Sequence, residues 1–266
     1  MEKQRAVDCD AAEAAEILRR AAETGQAVPR VVPDVAAQDQ ELAYSIQEIN
    51  TAYWLTEGRV MVGRKIGLTS PVVQKQLGVD RPDYGMLFAD MAVLDDAPIP
   101  TGRLIQPKAE AEVAFVMAQD VNTPLYTMAD LMPAVDFALP AIEVVDSRIE
   151  NWNINLANTI ADNASSALFV LGAETSHLAG LDLRKISMTM RKGNDIVSQG
   201  SGADCLGNPV HAVLWLARKM VEVGSPLKAG DIVLSGALGP MVAARPGDVF
   251  EAVLEGLGTV RARFAD

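Results

Sequence analysis

Glu110 and Glu112 stand two residues apart in Pro107-Lys108-Ala109-Glu110-Ala111-Glu112-Val113-Ala114-Phe115-Val116-Met117. The alternation predicts a half-buried strand, with Ala109, Ala111, Val113, Phe115 and Met117 facing one way and the two glutamates the other. Like charges on one strand face repel each other and resist leaving water, so the pair is unfavourable unless solvent or a cation compensates it. Leu139-Pro140-Ala141-Ile142-Glu143-Val144-Val145 places a third carboxylate, Glu143, in another apolar run. Three carboxylates in apolar strands point to a metal. An all-oxygen set favours a hard divalent cation, Mg²⁺ or Mn²⁺, over zinc, and leaves about three of six octahedral positions for water and a chelating substrate. A 2-oxo acid fits, because one carboxylate oxygen and the 2-oxo oxygen reach the same ion, which stabilises an enolate forming at the oxo group. The excess negative charge asks for a nearby lysine. Lys65, which interrupts the apolar run Val60-Met61-Val62-Gly63-Arg64-Lys65-Ile66, is the best candidate.

The composition sets the class around this cluster. At 266 residues and 49% hydrophobic, the chain has ample material for a core. A net charge of -12 and a pI near 4.7 argue against a nucleic-acid or anionic-membrane surface. Cys9 and Cys205 are the only cysteines and lack metal-ligand spacing, which excludes a disulfide scaffold and fits a reducing compartment. His177 and His211 stand apart from any other ligand type and are not expected to bind metal. No stretch approaches the roughly 18 apolar residues of a membrane span, and the first residues mix acids and bases. A cytoplasmic, unexported protein is expected.

The elements that position the cluster can be read in outline. A helix is expected from Asp10 to Thr24 with Gly25 as its stop, and another from near Asp39 to Gly58 with Leu42, Ile46, Ile49 and Tyr53 as its buried stripe. The strand carrying Lys65 runs into a glycine turn and a short helix over Val72 to Leu77. Asp80-Arg81-Pro82-Asp83-Tyr84-Gly85 has turn chemistry, where aspartates usually cap locally. A helix over Met128 to Ala138 should precede a strand beginning at Pro140. Asp162-Asn163-Ala164-Ser165-Ser166 is a polar cluster of the kind that makes turns or caps. A hairpin is expected around Lys192-Gly193-Asn194-Asp195, and Pro209 should open a helix to Glu222 that buries Val213, Leu216, Ala217 and Met220. Ser235-Gly236-Ala237-Leu238-Gly239-Pro240 reads as a loop whose glycines allow close approach to a ligand. The coarse picture is α+β: an N-terminal helical region with the first strand (1–80) packed on a strand-rich catalytic domain (81–266).

Taken in order, Gly63-Arg64-Lys65-Ile66-Gly67-Leu68-Thr69-Ser70, Arg81-Pro82-Asp83-Tyr84-Gly85, the Glu110/Glu112 pair, Ile142-Glu143-Val144-Val145-Asp146-Ser147-Arg148, Asp162-Asn163-Ala164-Ser165 and Ser235-Gly236-Ala237-Leu238-Gly239-Pro240 resemble the motifs of bacterial 2-hydroxypenta-2,4-dienoate hydratases. The resemblance covers almost the whole chain. It implies a fumarylacetoacetate hydrolase-like fold of mixed sheet and β-roll, a bound Mg²⁺ or Mn²⁺, a homo-oligomer, a pathway aldolase as partner, and a place in meta-cleavage catabolism of aromatic or related rings. Glu110, Glu112 and Glu143 would be the metal ligands. Lys65 and Asp83 would serve proton transfer and substrate orientation, Ser165 would hydrogen-bond substrate or water, and Leu87, Gly236 and Ala237 would lie against the substrate.

The nearest alternative is the 2-oxo-3-hexenedioate (4-oxalocrotonate) decarboxylases, which share the carboxylate motifs. They tend to lack the aspartate matching Asp83 and to carry a Gly-Gly-Ile-Thr type loop where this chain has Gly236-Ala237-Leu238-Gly239-Pro240. Both places read as hydratase. A non-catalytic metal-binding relative is the remaining alternative.

Overall fold

The computed structural model describes residues 9–70, 74, 79, 81–124 and 127–266. Two helices open it, α1 (Ala11–Thr24) and α2 (Gln40–Thr56). Asp10 caps α1 by accepting from the Ala12 and Glu13 N–H groups, and Gly25 closes it in the left-handed region at φ 68°. Asp39 caps α2 through the Leu42 N–H. The buried stripe of α2 differs from the expected one. Ile46 is buried, but Ile49 and Tyr53 are 36% and 38% exposed, and Ala43, Gln47, Asn50 and Thr51 turn inward instead. This face meets backbone as well as apolar side chains. The Gln47 amide donates to the Tyr84 and Ile160 carbonyls at 2.9 Å each, and Asn50 donates to the Ala15 carbonyl while accepting from Arg19.

Thirteen described strands form two sheets. The larger sheet holds β1 (Met61–Gly67), β2 (Asp83–Phe88), β3 (Ala92–Val93), β5 (Lys108–Met117), β6 (Val135–Val145), β7 (Ser166–Leu171), β10 (Ile232–Ala237) and β11 (Val242–Ala243), in the order β2-β1-β10-β5-β6-β7-β3 with β11 against β5. The smaller sheet orders β4 (Pro98–Ile99), β8 (Ser187–Lys192), β9 (Asp195–Ser201), β12 (Val249–Leu254) and β13 (Gly258–Phe264) as β4-β13-β12-β8-β9. Three further α-helices among the described residues are α3 (Met128–Leu131), α4 (Leu156–Ala161) and α5 (Pro209–Glu222). One large core joins both sheets with the apolar face of α5, including Val213, Leu216, Ala217 and Met220 as expected. A second cluster packs α1 and α2 on α4 through Leu18, Ile46, Leu156 and Ile160.

Five further expectations need correction. The strand β5 is buried on both faces, because it runs mid-sheet between β10 and β6 and its glutamate face is enclosed too. The helix expected to reach Ala138 stops at Leu131 and is followed by a 3-10 turn through Ala134, where Pro133 removes a helical N–H donor. The strand therefore starts at Val135, and Pro140 lies inside it, one residue before the β7 ladder begins at Ala141. Asp83 is the first residue of β2, paired with Gly67, rather than a turn aspartate. The segment read as a loop from Ser235 continues β10 to Ala237 as a bulge, with the register against β5 shifting between Leu234 and Ala237. The helix expected over Val72 to Leu77 lies outside the described residues except for Gln74. The hairpin at Gly193 forms as expected.

β1 sits between β2 and β10 in the large sheet, and β10 and β5 separate it from β6. Even so, Lys65 of β1 and Glu143 of β6 meet at 3.1 Å. The sheet is thus strongly curled, and its concave face gathers side chains from strands that are not neighbours.

Candidate active site and metal centre

The glutamates come together by strand register. Glu110 lies directly opposite Glu143 in the β5–β6 ladder, and Glu112, two residues along, shares that face. One carboxylate oxygen from each falls within 4.8 Å of the others. Glu112 and Glu143 are 1% and 0% exposed, while Glu110 is half-buried. Oε1 of Glu112 and both carboxylate oxygens of Glu143 are buried with no hydrogen-bond partner. Lys65 Nζ lies close to Glu143 Oε2 but outside hydrogen-bond geometry. Buried anionic oxygens without donors are costly, and a hard cation at their common focus would remove that cost. The donor set fits a divalent metal with oxygen ligands.

The bulge in β10 completes this wall. Gly236 has φ 101°, and its N–H donates to Glu112 Oε2 at 2.8 Å. A Cβ there would lie 2.2 Å from Thr69 Oγ1, so glycine is required twice, for conformation and for space. Ala237 pairs with Glu112 in the ladder.

Lys65 and Asp83 approach from the other side of the curl. Lys65 is 3% exposed and donates from Nζ to the Ala164 carbonyl at 3.0 Å. Asp83 is 2% exposed, its carboxylate lies over the bare Cα of Gly67, and its Oδ1 has no partner. Leu87 follows Asp83 by four residues on the same face of β2 and is fully buried. Ser165 is buried, with its hydroxyl 3.2 Å from Thr159 Oγ1. The structure therefore brings Lys65, Glu110, Glu112 and Glu143 together, with Asp83 beside Lys65 and Gly236 at the edge. The histidines stay outside, His177 bonded to the Asp136 carbonyl and His211 to the Leu206 carbonyl.

Electrostatics follow from burial against charge. Burial pushes Asp83 up to about 6, with the Glu143 charge adding to the rise and Lys65 opposing it. Burial likewise raises Glu110 to about 7, against the pull of Lys65 and Lys108. Glu112 is raised well above the ordinary carboxylate range by burial and by the neighbouring charges of Glu143 and Glu110. For Lys65, burial favours the neutral amine, but Glu143, Asp83, Glu110 and Glu112 outweigh it and the ammonium is held above its usual pKa. A cationic lysine among carboxylates that resist ionising is a site short of positive charge.

The polar cluster after α4 is the part whose role sequence reasoning missed. Asn163, Ala164 and Ser165 have φ of 54°, 50° and 55°, three consecutive non-glycine residues in the left-handed region. Asn163 offsets that strain by pairing with one residue of β2, accepting from the Met86 N–H at 2.7 Å and donating to the Met86 carbonyl at 3.0 Å. Below the turn, Arg148 is bonded to the Asp162 carboxylate and to the Asp162 and Ser166 carbonyls. The turn thus aims the Ala164 carbonyl at Lys65. The motif was visible as a polar run, but its left-handed geometry left no mark in the residue types. A cavity of about 420 Å³ lies beyond this turn, bounded by Gln47, Asn50, Arg59, Arg148 and Ser166, and none of the three glutamates lines it.

Residues 63–265 match the model of the fumarylacetoacetate (FAA) hydrolase C-terminal family. The chain belongs to the fumarylacetoacetate hydrolase family. Among curated relatives in that family, 2-keto-4-pentenoate hydratase 1 of Dechloromonas aromatica is 56% identical over 252 residues, 95% of this chain and 96% of that protein. The 2-keto-4-pentenoate hydratase of Burkholderia vietnamiensis is 51% identical over 94% of this chain and 95% of its own length. Among solved structures, 4-oxalocrotonate decarboxylase from Pseudomonas putida G7, complexed with magnesium and adipate, superposes with a TM-score of 0.91 at 32% identity, covering 98% of this chain and all of that one. The expected α+β architecture is that of the family; α1 and α2 precede the matched residues.

Proposed function

We propose that this protein is a divalent-metal-dependent hydratase that adds water to 2-hydroxypenta-2,4-dienoate, or a substituted analogue, to give 4-hydroxy-2-oxopentanoate. The observation that carries the reading is the meeting of three glutamates from two strands with a buried ammonium and a buried carboxyl of raised pKa. Relatives at 51–56% identity with the name 2-keto-4-pentenoate hydratase support the substrate class.

Glu110, Glu112 and Glu143 would hold a Mg²⁺ or Mn²⁺ ion. When bound, such an ion supplies a Lewis acid that draws electron density toward the substrate's C2 oxygen. The residues supply the proton chemistry. Ketonisation moves a proton: C5 gains one and the C2 hydroxyl loses one, giving a 2-oxo-3-ene that is electrophilic at C4. Water then adds its oxygen at C4 while C3 gains a proton, so the net change is one water. Lys65, cationic and fixed by the Ala164 carbonyl, is the proton donor and charge partner on this path. Asp83, with a pKa near 6, is ionised at neutral pH yet close enough to the working pH to take a proton from the attacking water. Leu87 on the same strand face presents an apolar surface to the diene, Gly236 and Ala237 bound it beside Glu112, and Ser165 lies at the foot of the turn that positions Lys65.

The product is a 4-hydroxy-2-oxo acid, whose carbon–carbon bond retro-aldol chemistry can break, so a pathway aldolase is the natural next enzyme. No described helix is long and apolar enough to cross a membrane. We place the enzyme in the cytoplasm as a homo-oligomer.

The test is to strip the protein of metal, add freshly generated 2-hydroxypenta-2,4-dienoate, and follow loss of the diene's ultraviolet absorbance with and without Mn²⁺ or Mg²⁺. Metal-dependent loss with a mass gain of one water is the expected result. Carbon dioxide release from 2-oxo-3-hexenedioate would instead support the decarboxylase reading, which the fold similarity to 4-oxalocrotonate decarboxylase favours. Metal and ligand binding without turnover of either would leave a binding protein.

A further inference from the structure

Lys108 stands two residues before Glu110 on the strand face that carries the metal-site glutamates. It is half-buried, and its ammonium lies 3.9 Å from the centroid of the Trp152 ring. Among the described residues it has no hydrogen-bond acceptor and no ion-pair partner. Such an arrangement is unusual, because a partly desolvated ammonium normally finds an oxygen. The aromatic face compensates part of its charge and fixes its place but leaves its N–H groups free.

Trp152 is itself firmly held. Its indole N–H donates to the Gln106 carbonyl at 2.9 Å, and the Gln106 backbone N–H is bonded to Asp146 at 2.6 Å. Asn151 and Trp152 both sit in the left-handed region, at φ 57° and 53°. A bulky side chain adopts that conformation only where its surroundings impose it.

The site is also polarised from end to end. Lys65 and Asp83 are 3% and 2% exposed, whereas Glu110 and Lys108 are half-buried, so the opening lies on the Glu110 side. Groups that move protons at C3, C4 and C5 must face those carbons, which puts the unsaturated chain inward and the carboxylate at the opening. Three glutamates, Asp83 and a substrate carboxylate exceed the charge of a divalent ion plus Lys65 by two, and Lys108 offsets one of these charges.

We propose that Lys108, held against Trp152, is the receptor for the C1 carboxylate of the substrate and so sets the direction in which a 2-oxo acid enters. This rests on reading the three glutamates as metal ligands and the substrate as a 2-oxo acid. Lys108 takes the outward carboxylate oxygen in a charge-assisted hydrogen bond, and the unsaturated chain then extends toward Lys65 and Asp83.

The test compares two unreactive probes that differ in one charge. Mn²⁺ affinity is first measured by calorimetry for the full-length protein and for Lys108→Met and Lys108→Arg. Each Mn²⁺-loaded protein is then titrated with pyruvate and with pyruvamide, which keeps the oxo group but lacks the carboxylate. Lys108→Met is expected to bind Mn²⁺ at least as well as the unmodified protein, to bind pyruvate about ten- to a hundredfold more weakly, and to bind pyruvamide unchanged. Lys108→Arg should stay within about tenfold of the original pyruvate affinity, because it keeps the charge. Equal losses for both probes, or no loss for either, overturn the proposal. If Lys108→Met fails to fold, Trp152→Leu decides: selective weakening of pyruvate supports the proposal, and parallel weakening of both probes refutes it. Absence of Mn²⁺ binding by the unmodified protein would overturn the metal site and this proposal together. Pyruvate selectivity without dienoate turnover would sink only the hydratase reading.

Discussion

Replacing Asp83 with asparagine should make the metal-free protein more stable at alkaline pH while disabling it. The Asp83 carboxyl is raised from an ordinary 3.8 to about 6, chiefly by burial. Because the folded state holds this proton more tightly than the unfolded chain, stability from the group is complete below about pH 4 and is lost as pH rises through about 6. A displacement of that size corresponds to about 3 kcal/mol of ionisation cost at pH 8. Asparagine has the shape of the protonated form and does not titrate. In urea titrations with a chelator present, at fixed protein concentration, Asp83→Asn should gain on the unmodified protein by about 2–3 kcal/mol between pH 4 and pH 8, most of it by pH 7. Dienoate turnover in the Mn²⁺-loaded enzyme should fall by at least about a hundredfold, the size expected for loss of a general base. Parallel stability curves for the two proteins from pH 4 to pH 8 would show that Asp83 ionises without strain and would refute the burial argument, whatever happened to activity.

Four further outcomes follow from the same geometry. Glu110→Gln should abolish turnover and weaken Mn²⁺ binding, yet raise metal-free stability above pH 7, since Glu110 itself is pushed up to about 7; calorimetry and urea titration report the two effects separately. Adding Mn²⁺ at a hundred times its dissociation constant should stabilise the unmodified protein by about 2.7 kcal/mol, read as a rise in thermal midpoint that Glu112→Gln lacks. Gly236→Ala, with its Cβ 2.2 Å from Thr69 Oγ1 at φ 101°, should cost about 2–4 kcal/mol in denaturant unfolding and weaken Mn²⁺ binding by misdirecting the N–H aimed at Glu112. Asn163→Ala removes both bonds to Met86 and should cost about 2–4 kcal/mol, with kcat reduced more than KM because Ala164 no longer fixes Lys65.

The N-terminal helices contribute to the site indirectly. Gln47 of α2 ties the Tyr84 carbonyl, next to Asp83, to the Ile160 carbonyl at the end of α4. One amide thus sets the distance between the strand carrying Asp83 and the turn carrying Ala164. Tyr44, one turn earlier, stacks on Tyr84 with ring centroids 4.4 Å apart and an interplanar angle of 17°. Its hydroxyl is held neutral, its pKa raised by burial and by the Asp83 charge.

The residue types and short-range spacing determined the chemistry of this protein. Glu110 and Glu112 at a spacing of two must share a strand face because the side-chain period of a strand is two, and Glu143 in an apolar run had to be paired or metal-bound. Asp10, Gly25, Asp39 and Pro209 marked helix ends because capping is a local matter of one side chain and a few N–H groups. Tertiary structure decided which of these residues meet. The register that sets Glu110 against Glu143 is fixed by the whole β5–β6 ladder, and the curl that carries Lys65 across two intervening strands belongs to the whole sheet. Asp83 looked like a turn residue since its local sequence is turn-like; its place on β2 comes from pairing with Gly67 of the preceding strand β1, outside that local sequence. The buried polar face of α2 was hidden for a similar reason. Periodicity reports where apolar side chains recur, but only the packed structure shows that the backbone of β2 and α4 needs Gln47 there.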